Sequence, residues 1–237
     1  MLLSICKLSG RKLSNAMGHN ACSGVAVVIP VRNGQALVRD AIASVRDQGP
    51  IVVELVVVDN GSIDDTAKLV SADGVRVVFE PRLGAGAARR AGLAATTAEV
   101  VMFLDHDDLL VPGAIDALLE ALLRERADLA HGGLRNEAMP GLKTRVRFPE
   151  GVLSAPLTSS TIVRRDVFDR FGTFADDNYS WPAWIMAAKD AGARLAVIPG
   201  LVCIRRIHGA NVTLTSNTYG PYFDMIRARL RSRSEKR

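Results

Sequence analysis

Residues 25–59 read VAVVIPVRNGQALVRDAIASVRDQGPIVVELVVVD, and this stretch decides the fold class. VAVVIPV, residues 25–31, is an unbroken apolar, β-branched run. That is the pattern of a strand buried on both faces rather than one with a wet side. Arg32, Asn33 and Gly34 end it. QALVRDAIASVRDQ then sets Leu37, Ala41, Ile42 and Val45 on one helical face, until Gly49 and Pro50 stop it. IVVELVVVD is a second strand and closes on Asp59. A buried strand, an amphipathic helix and another buried strand make a βαβ unit, with a parallel pair and a right-handed crossover.

The rhythm continues downstream. Asn60-Gly61-Ser62 makes a turn, and Asp64-Asp65-Thr66 opens a helix whose first-turn acids suit the helix dipole. VRVVFE, residues 75–80, is a third strand; PRLGAGAARRAGLAATT, residues 81–97, is a Gly-rich turn leading into a small-residue helix. VVMFLD, residues 100–105, is a fourth strand and runs into His106-Asp107-Asp108. PGAIDALLEALLRE follows as a helix with Pro112 in its first turn. The alternation predicts an α/β fold, a mostly parallel sheet flanked by helices, with ligands at the carboxyl ends of the strands. Those ends are residues 30–33, 59–61 and 105–108.

The second half is less regular. DLAHGGL (128–134) and KTRVRF (143–148) read as strands, TIVRRDVFDRFG (161–172) as a strand entering a short helix, and WPAWIMAAKDAGARLAVIP (181–199) as helix, Gly turn and strand. No repeat or low-complexity linker divides the chain. One domain over residues 25–215 is expected, with a regular half at 25–125 and a less regular half at 126–215, between a loose leader at 1–24 and a basic tail at 216–237.

With 237 residues, 48% of them hydrophobic, the chain can build a core without disulfides or a structural metal. Cys6, Cys22 and Cys203 have neither metal-ligand nor redox spacing, so free thiols in a reducing, cytoplasmic setting are expected. No apolar run approaches the roughly 20 residues of a membrane span. The N-terminal apolar stretch is short, and Lys7, Arg11 and Lys12 follow rather than precede it, a poor signal peptide. Much of the net charge of +5 sits in IRARLRSRSEKR. This tail reads as a solvated, frayed helix end, with weak contact to an anionic membrane surface as the alternative. No aromatics interleave with its arginines, so no nucleic-acid partner is expected.

The sharpest chemical signal is Asp105-His106-Asp107-Asp108. Three carboxylates in four residues repel one another unless a cation or hydrogen-bond donors compensate. Oxygen ligands of this kind suit Mg²⁺ or Mn²⁺. The plainer alternative, an Asp capping the next helix, needs only one acid. Asp59 can accept hydrogen bonds from a ribose or base, or simply turn its own backbone. GAGAAR, residues 84–89, imitates a dinucleotide fingerprint, but Arg89 stands at the third Gly position and the motif follows the third strand. Gly84 and Gly86 are better read as close-packing turn residues and Arg89 as a phosphate or carboxylate partner.

VVIPVRN, VVVDNGSIDDT, RLGAGAARRAG and VMFLDHDD, in this order and spacing, resemble family 2 glycosyltransferases, well over residues 25–125 and more weakly to about residue 215. The resemblance implies the GT-A fold, a nucleotide-diphosphate sugar donor bound by a donor half at 25–125, and mostly inverting transfer to a hydroxyl of a glycan, lipid, small molecule or peptide bound by an acceptor half at 126–215. By position it implies that Pro30, Val31 and Asn33 lie near the donor base. Asp59 would hold the base or ribose and Arg89 the donor. Asp105 and Asp107 would be the D-x-D pair, the first toward the ribose and the second on the metal, with Asp108 extending it. His208, in RRIHG, would reach the metal or diphosphate.

The chain departs from this pattern at Asn60 and Arg90, where the family often has Asp and usually Asn. It also lacks the late Glu-Asp that supplies the base, the position falling at Ser180-Trp181. Asp177, then Asp176, are the candidate bases. Trp181 and Trp184 are either an acceptor-stacking platform or core. The rivals are a donor-binding homologue impaired in catalysis and a nucleotidyltransferase. The second would need a Gly-rich basic loop after the first strand, which IPVRNG does not provide.

Overall fold

The structure, a computed structural model, describes residues 24–143, 147–177 and 180–211. The expected basic tail, and the leader apart from its last residue, lie outside the described residues, as do Cys6, Cys22 and His19.

The expected α/β alternation is present. Strands β1 (Val25–Val31), β2 (Val52–Asp59), β3 (Arg76–Phe79) and β4 (Val100–Phe103) are linked by helices α1 (Val38–Arg46), α2 (Thr66–Ala72) and α3 (Ala85–Ala94). They lie in the order β3-β2-β1-β4, every pair parallel. The chain winds one way from β1 to β3, then returns to add β4 on the other side of β1. That reversal opens a crevice at the carboxyl ends of β1 and β4.

The second half extends the sheet and mixes its directions. Its elements are β5 (Asp108–Leu110), α4 (Ala114–Arg124), β6 (Leu129–Ala138), β7 (Val152–Ser154), β8 (Thr161–Arg164), α5 (Asp166–Phe171), α6 (Ser180–Asp190) and β9 (Leu195–Ile207). Among the described residues one nine-stranded sheet runs β3-β2-β1-β4-β8-β6-β9-β5, with β7 paired to β6. β6 and β9 are parallel; β8 is antiparallel to both β4 and β6.

Both faces of β1 are covered, which is why its sequence is apolar throughout. Val25, Val27, Ile29 and Val31 join a cluster with Ile42 of α1 and Ile115, Leu118 and Leu122 of α4. Val28 joins the opposite cluster, with Ala88 of α3, Phe168 of α5 and Trp181, Trp184 and Ile185 of α6. The two helix layers sandwich the sheet, and burial of these side chains is the main favourable term of the fold. α3 lies so close to the sheet that a Cβ on Gly92 would fall 2.2 Å from Val28 Cγ1.

Three local expectations change. Asp108 does not stay in an open acidic loop but starts β5, antiparallel to β9 with Asp108 opposite Arg205. β9 does not stop at Pro199 but runs to Ile207, carried by its long ladder with β6. The expected strand KTRVRF lies partly outside the described residues, and its described ends are irregular.

Candidate functional site

The loops after β1 and β2 are stapled together. The Asn33 N–H donates to Ser62 Oγ (3.0 Å), and the Ile63 N–H donates back to Asn33 Oδ1 (2.9 Å). The Gly34 N–H donates to Thr66 Oγ1 (2.9 Å), and the Asp65 N–H to Gln35 Oε1 (3.1 Å). Asn33 adopts φ 53°, a conformation Asn tolerates better than most residues. Pro30 and Val31 are buried in the end of β1, and the Val31 carbonyl accepts the Asn60 N–H at 2.8 Å. Asp59 is buried at the end of β2 with Oδ1 accepting the Ser62 N–H at 3.0 Å.

Asn60 explains its own departure from the family pattern. Its Nδ2 donates to the Glu80 and Arg82 carbonyls (2.9 and 2.7 Å), and its Oδ1 accepts the Gly84 N–H (2.8 Å). It needs both donor and acceptor atoms to fix the loop after β3, and a carboxylate has only acceptors.

The acidic run opens off β4. Asp105 accepts from Arg89 Nη2 at Oδ1 (3.2 Å) and from Thr158 Oγ1 at Oδ2 (3.1 Å), while its N–H donates to Ser159 Oγ (3.1 Å). Arg89 is buried; its Nη1 reaches Ser180 Oγ at 3.4 Å, and its Nε has no hydrogen-bond partner among the described residues. A buried, incompletely satisfied guanidinium beside the crevice retains capacity for an anionic or polar ligand.

Asp107 is held from the far end of the chain. Its Oδ2 lies 3.0 Å from His208 Nε2 and accepts Asn211 Nδ2 at 2.8 Å. Its carbonyl accepts Arg206 Nε at 2.6 Å, and the same guanidinium donates to Asp40 Oδ2 (2.6 Å) and the Leu37 carbonyl (3.0 Å). Asp108 stands behind, buried. Burial pushes its carboxyl well above the usual carboxylate range, and the neighbouring Asp107 and Asp105 charges add to the rise. A hydrogen bond with Ser159 and the Arg205 charge pull the other way. The capping alternative falls, because Gly113 occupies the cap position of α4 with φ 74° and no side-chain cap.

The carboxylates of Asp105 and Asp107 are oxygen ligands of the kind a hard divalent cation takes. Among the described residues no three His, Cys, Asp or Glu side chains form a ready-made cage. Yet a carboxylate oxygen and an imidazole nitrogen converge at Asp107 and His208. One or two protein ligands completed by substrate phosphates is how Mg²⁺ is usually held.

The candidate base loop lies on α3. Asp176 is ion-paired with Arg90 Nη2, and Arg90 Nη1 donates to the Phe174 carbonyl. The Asp177 carbonyl accepts the Gly86 N–H at 3.2 Å. Ser180, where the family's Glu-Asp would begin, is buried on Arg89. Trp181 and Trp184 are core, not a platform. They pack among Phe103, Phe168 and Phe174, and their indole N–H groups donate to the Pro156 and Gly172 carbonyls at 2.7 and 2.6 Å. Of the expected residues, Arg89 and Asp105 meet, and so do Asp107 and His208. Thr158, Ser159, Arg206 and Asn211 were not singled out by sequence. The hydroxyl run at 158–161 was the available signal.

The profile of glycosyl transferase family 2 matches residues 26–171. An uncharacterized glycosyltransferase of Nostoc sp. is 27% identical over 213 residues, covering 79% of this chain and 66% of the relative. One from Mycobacterium tuberculosis is 36% identical over 115 residues, 48% of this chain and 50% of the relative. The succinoglycan biosynthesis protein ExoU of Rhizobium meliloti is 31% identical over 153 residues, 56% of this chain and 44% of that protein. The chain therefore spans about half to two thirds of the length of these relatives. The crystal structure of S. aureus TarS 1–349 with UDP-GlcNAc has the same fold, at TM-score 0.66 and 18% identity over 81% of this chain and 61% of that one. Glucosyl-3-phosphoglycerate synthase from M. tuberculosis, solved with Mg²⁺ and UDP, superposes at TM-score 0.60 and 25% identity over 78% of this chain and 72% of that one. These are GT-A glycosyltransferases, which identifies the sheet as that fold. Among the described residues no helix is long and apolar enough to cross a membrane.

Proposed function

This chain belongs to glycosyl transferase family 2, and from that premise we propose that it moves a sugar from a nucleotide-diphosphate donor to an acceptor hydroxyl, with inversion and with Mg²⁺ or Mn²⁺. The observation that carries the reading is the meeting of Asp107 with His208 beside the Arg89–Asp105 pair, at the crevice where the strand order reverses. The synthase crystallised with Mg²⁺ and UDP supports the choice of cation and of a nucleotide donor.

Each residue has a role in this reading. Asn33 and the stapled loops after β1 and β2, with Pro30 and Val31 behind them, form the donor-base side, and Asp59 accepts from the ribose or base. Asp105, oriented by Arg89 and Thr158, faces the ribose, and the spare capacity of Arg89 serves the donor. Asp107 and His208 hold the cation, with Asp108 behind them. A bound cation supplies the positive charge that neutralises a departing diphosphate. Asp177 removes the acceptor hydroxyl proton as the new bond forms; Asp176 is the second choice because it is ion-paired with Arg90. The acceptor is a hydroxyl of a glycan, lipid, small molecule or peptide. Cys203, free and buried, suits a reducing cytoplasm, the setting proposed here.

A second reading has one observation in its favour. The usual base position is filled by buried Ser180 and Trp181, which suits a homologue that binds the donor without transferring it. One experiment separates the two. Nucleotide-sugar binding and turnover are measured across a donor panel with Mn²⁺, Mg²⁺ or EDTA, for the unsubstituted chain and for Asp107→Ala. Metal-dependent turnover lost in the variant supports the transferase. Binding without turnover supports the second reading. No binding to any nucleotide sugar overturns both.

A further inference from the structure

α3 grips the loop that leads into α6, and one of the points of grip, Arg90, departs from the family pattern. A Cβ on Gly84 would fall 1.8 Å from the Asp176 carbonyl oxygen, and one on Gly86 would fall 1.7 Å from that of Ala175. The 175–177 backbone is therefore pressed directly against the first turn of the helix. There the Gly86 N–H, one of the amides a helix start leaves without an internal partner, donates to the Asp177 carbonyl (3.2 Å). Position 90 is four residues on from Gly86 and shares its face. From it Arg90 forks onto the Phe174 carbonyl and the Asp176 carboxylate. The neighbouring Arg89 turns instead toward Asp105 and Ser180. One helix thus touches the donor crevice through residue 89 and the acceptor-side loop through residue 90.

We propose that Arg90 and Asp176 are positioning residues, an ion pair that fixes the 174–177 loop on α3 and so sets where Asp177 stands over the donor. This rests on the transferase reading, because only there does the place of Asp177 matter. Asn, the family's usual residue at position 90, is too short to reproduce the fork, and no other side chain among the described residues pairs with Asp176. The pair is half-open to solvent, so its contribution is geometric rather than a large stabilisation. A positioning error of about 1 Å at a reacting group can cost about 100-fold in rate.

The test uses Arg90→Asn, Asp176→Asn and the charge-reversed double variant R90D/D176R in the full chain. Hydrogen exchange follows the amides of residues 84–88 and 172–177; calorimetry follows binding of UDP with Mn²⁺; and UDP release is followed from the nucleotide sugar that the unsubstituted chain turns over, with water as acceptor. We expect both single variants to exchange faster in these two segments and nowhere else. UDP affinity should stay within about twofold, while UDP release slows by roughly 10- to 100-fold. The reversed pair should recover most of both losses. Unchanged exchange in the single variants overturns the proposal, as does faster exchange with unchanged UDP release, or a reversed pair no better than the singles. A failure of the unsubstituted chain to bind any nucleotide sugar overturns the transferase reading and this inference with it, and shows itself before any substitution is made.

Discussion

Asp107 and His208 stand 101 residues apart in the chain and meet with 3.0 Å between Oδ2 and Nε2. The pairing of β5 with β9 makes this contact, since Asp108 sits opposite Arg205 and the chain continues three residues to the imidazole. Asn211 closes the arrangement by donating to the same carboxylate oxygen. If this is the cation site, loss of either neighbour weakens it. Asn211→Ala, which removes a group that orients a ligand, should raise the Mn²⁺ concentration for half-maximal turnover by roughly 10- to 100-fold, and His208→Ala, which removes a proposed ligand, by at least as much. A metal titration of UDP release checks this. An unchanged Mn²⁺ dependence in both variants would remove the site.

Thr158 offers a cleaner probe of Asp105. Its buried hydroxyl donates to Asp105 Oδ2 at 3.1 Å, and Val is close to Thr in shape. Thr158→Val should lower kcat/KM by about tenfold, toward the weak end for a hydrogen bond to a charged group because Asp105 is partly solvated. The melting temperature should hardly move. Equal kinetics in the variant and the parent would show that Thr158 does not orient the acid.

Asn60→Asp restores the residue common in the family and should destabilise this chain. The change removes two donors from the Glu80 and Arg82 carbonyls and sets a carboxylate against both oxygens. The expected loss is about 1–3 kcal/mol, read from urea unfolding at neutral pH. A variant as stable as the parent would mean that the loop after β3 is held by other contacts.

Asp128 gives a pH signature away from the site. Burial alone would raise its carboxyl, but the Arg194 N–H and the Arg170 guanidinium outweigh it and hold the group below its ordinary value. A carboxyl depressed in the folded state stabilises the fold above its unfolded pKa of about 3.9, and that stabilisation is lost as pH falls through the folded value. Asp128→Asn should therefore cost about 1–3 kcal/mol at pH near 7, with the gap between variant and parent closing below a pH of about 4. Unfolding curves at the two pH values check it, and a gap that is constant with pH contradicts the assignment.

The sequence by itself determined the alternation of the first four strands with helices and the burial of the first strand on both faces. The runs VAVVIPV (25–31) and VVMFL (100–104) are apolar at every position, and only a strand covered on both faces can satisfy them. It also located the crevice in outline, because Asp59 and Asp105 lie at the ends of such runs, where polar side chains leave the core. These are local properties, set by side-chain periodicity and water.

Only the tertiary structure decided how the acids are held. Arg89 reaches Asp105, Thr158 and Ser159 come up beneath it, and Arg206, His208 and Asn211 arrive at Asp107 on β9 and the turn after it. It also decided that Trp181 and Trp184 are core and that Asp176 belongs to Arg90. Such partnerships join residues separated by tens to a hundred positions. They depend on strand register and on how closely α3 approaches its neighbours, and no local pattern carries that information.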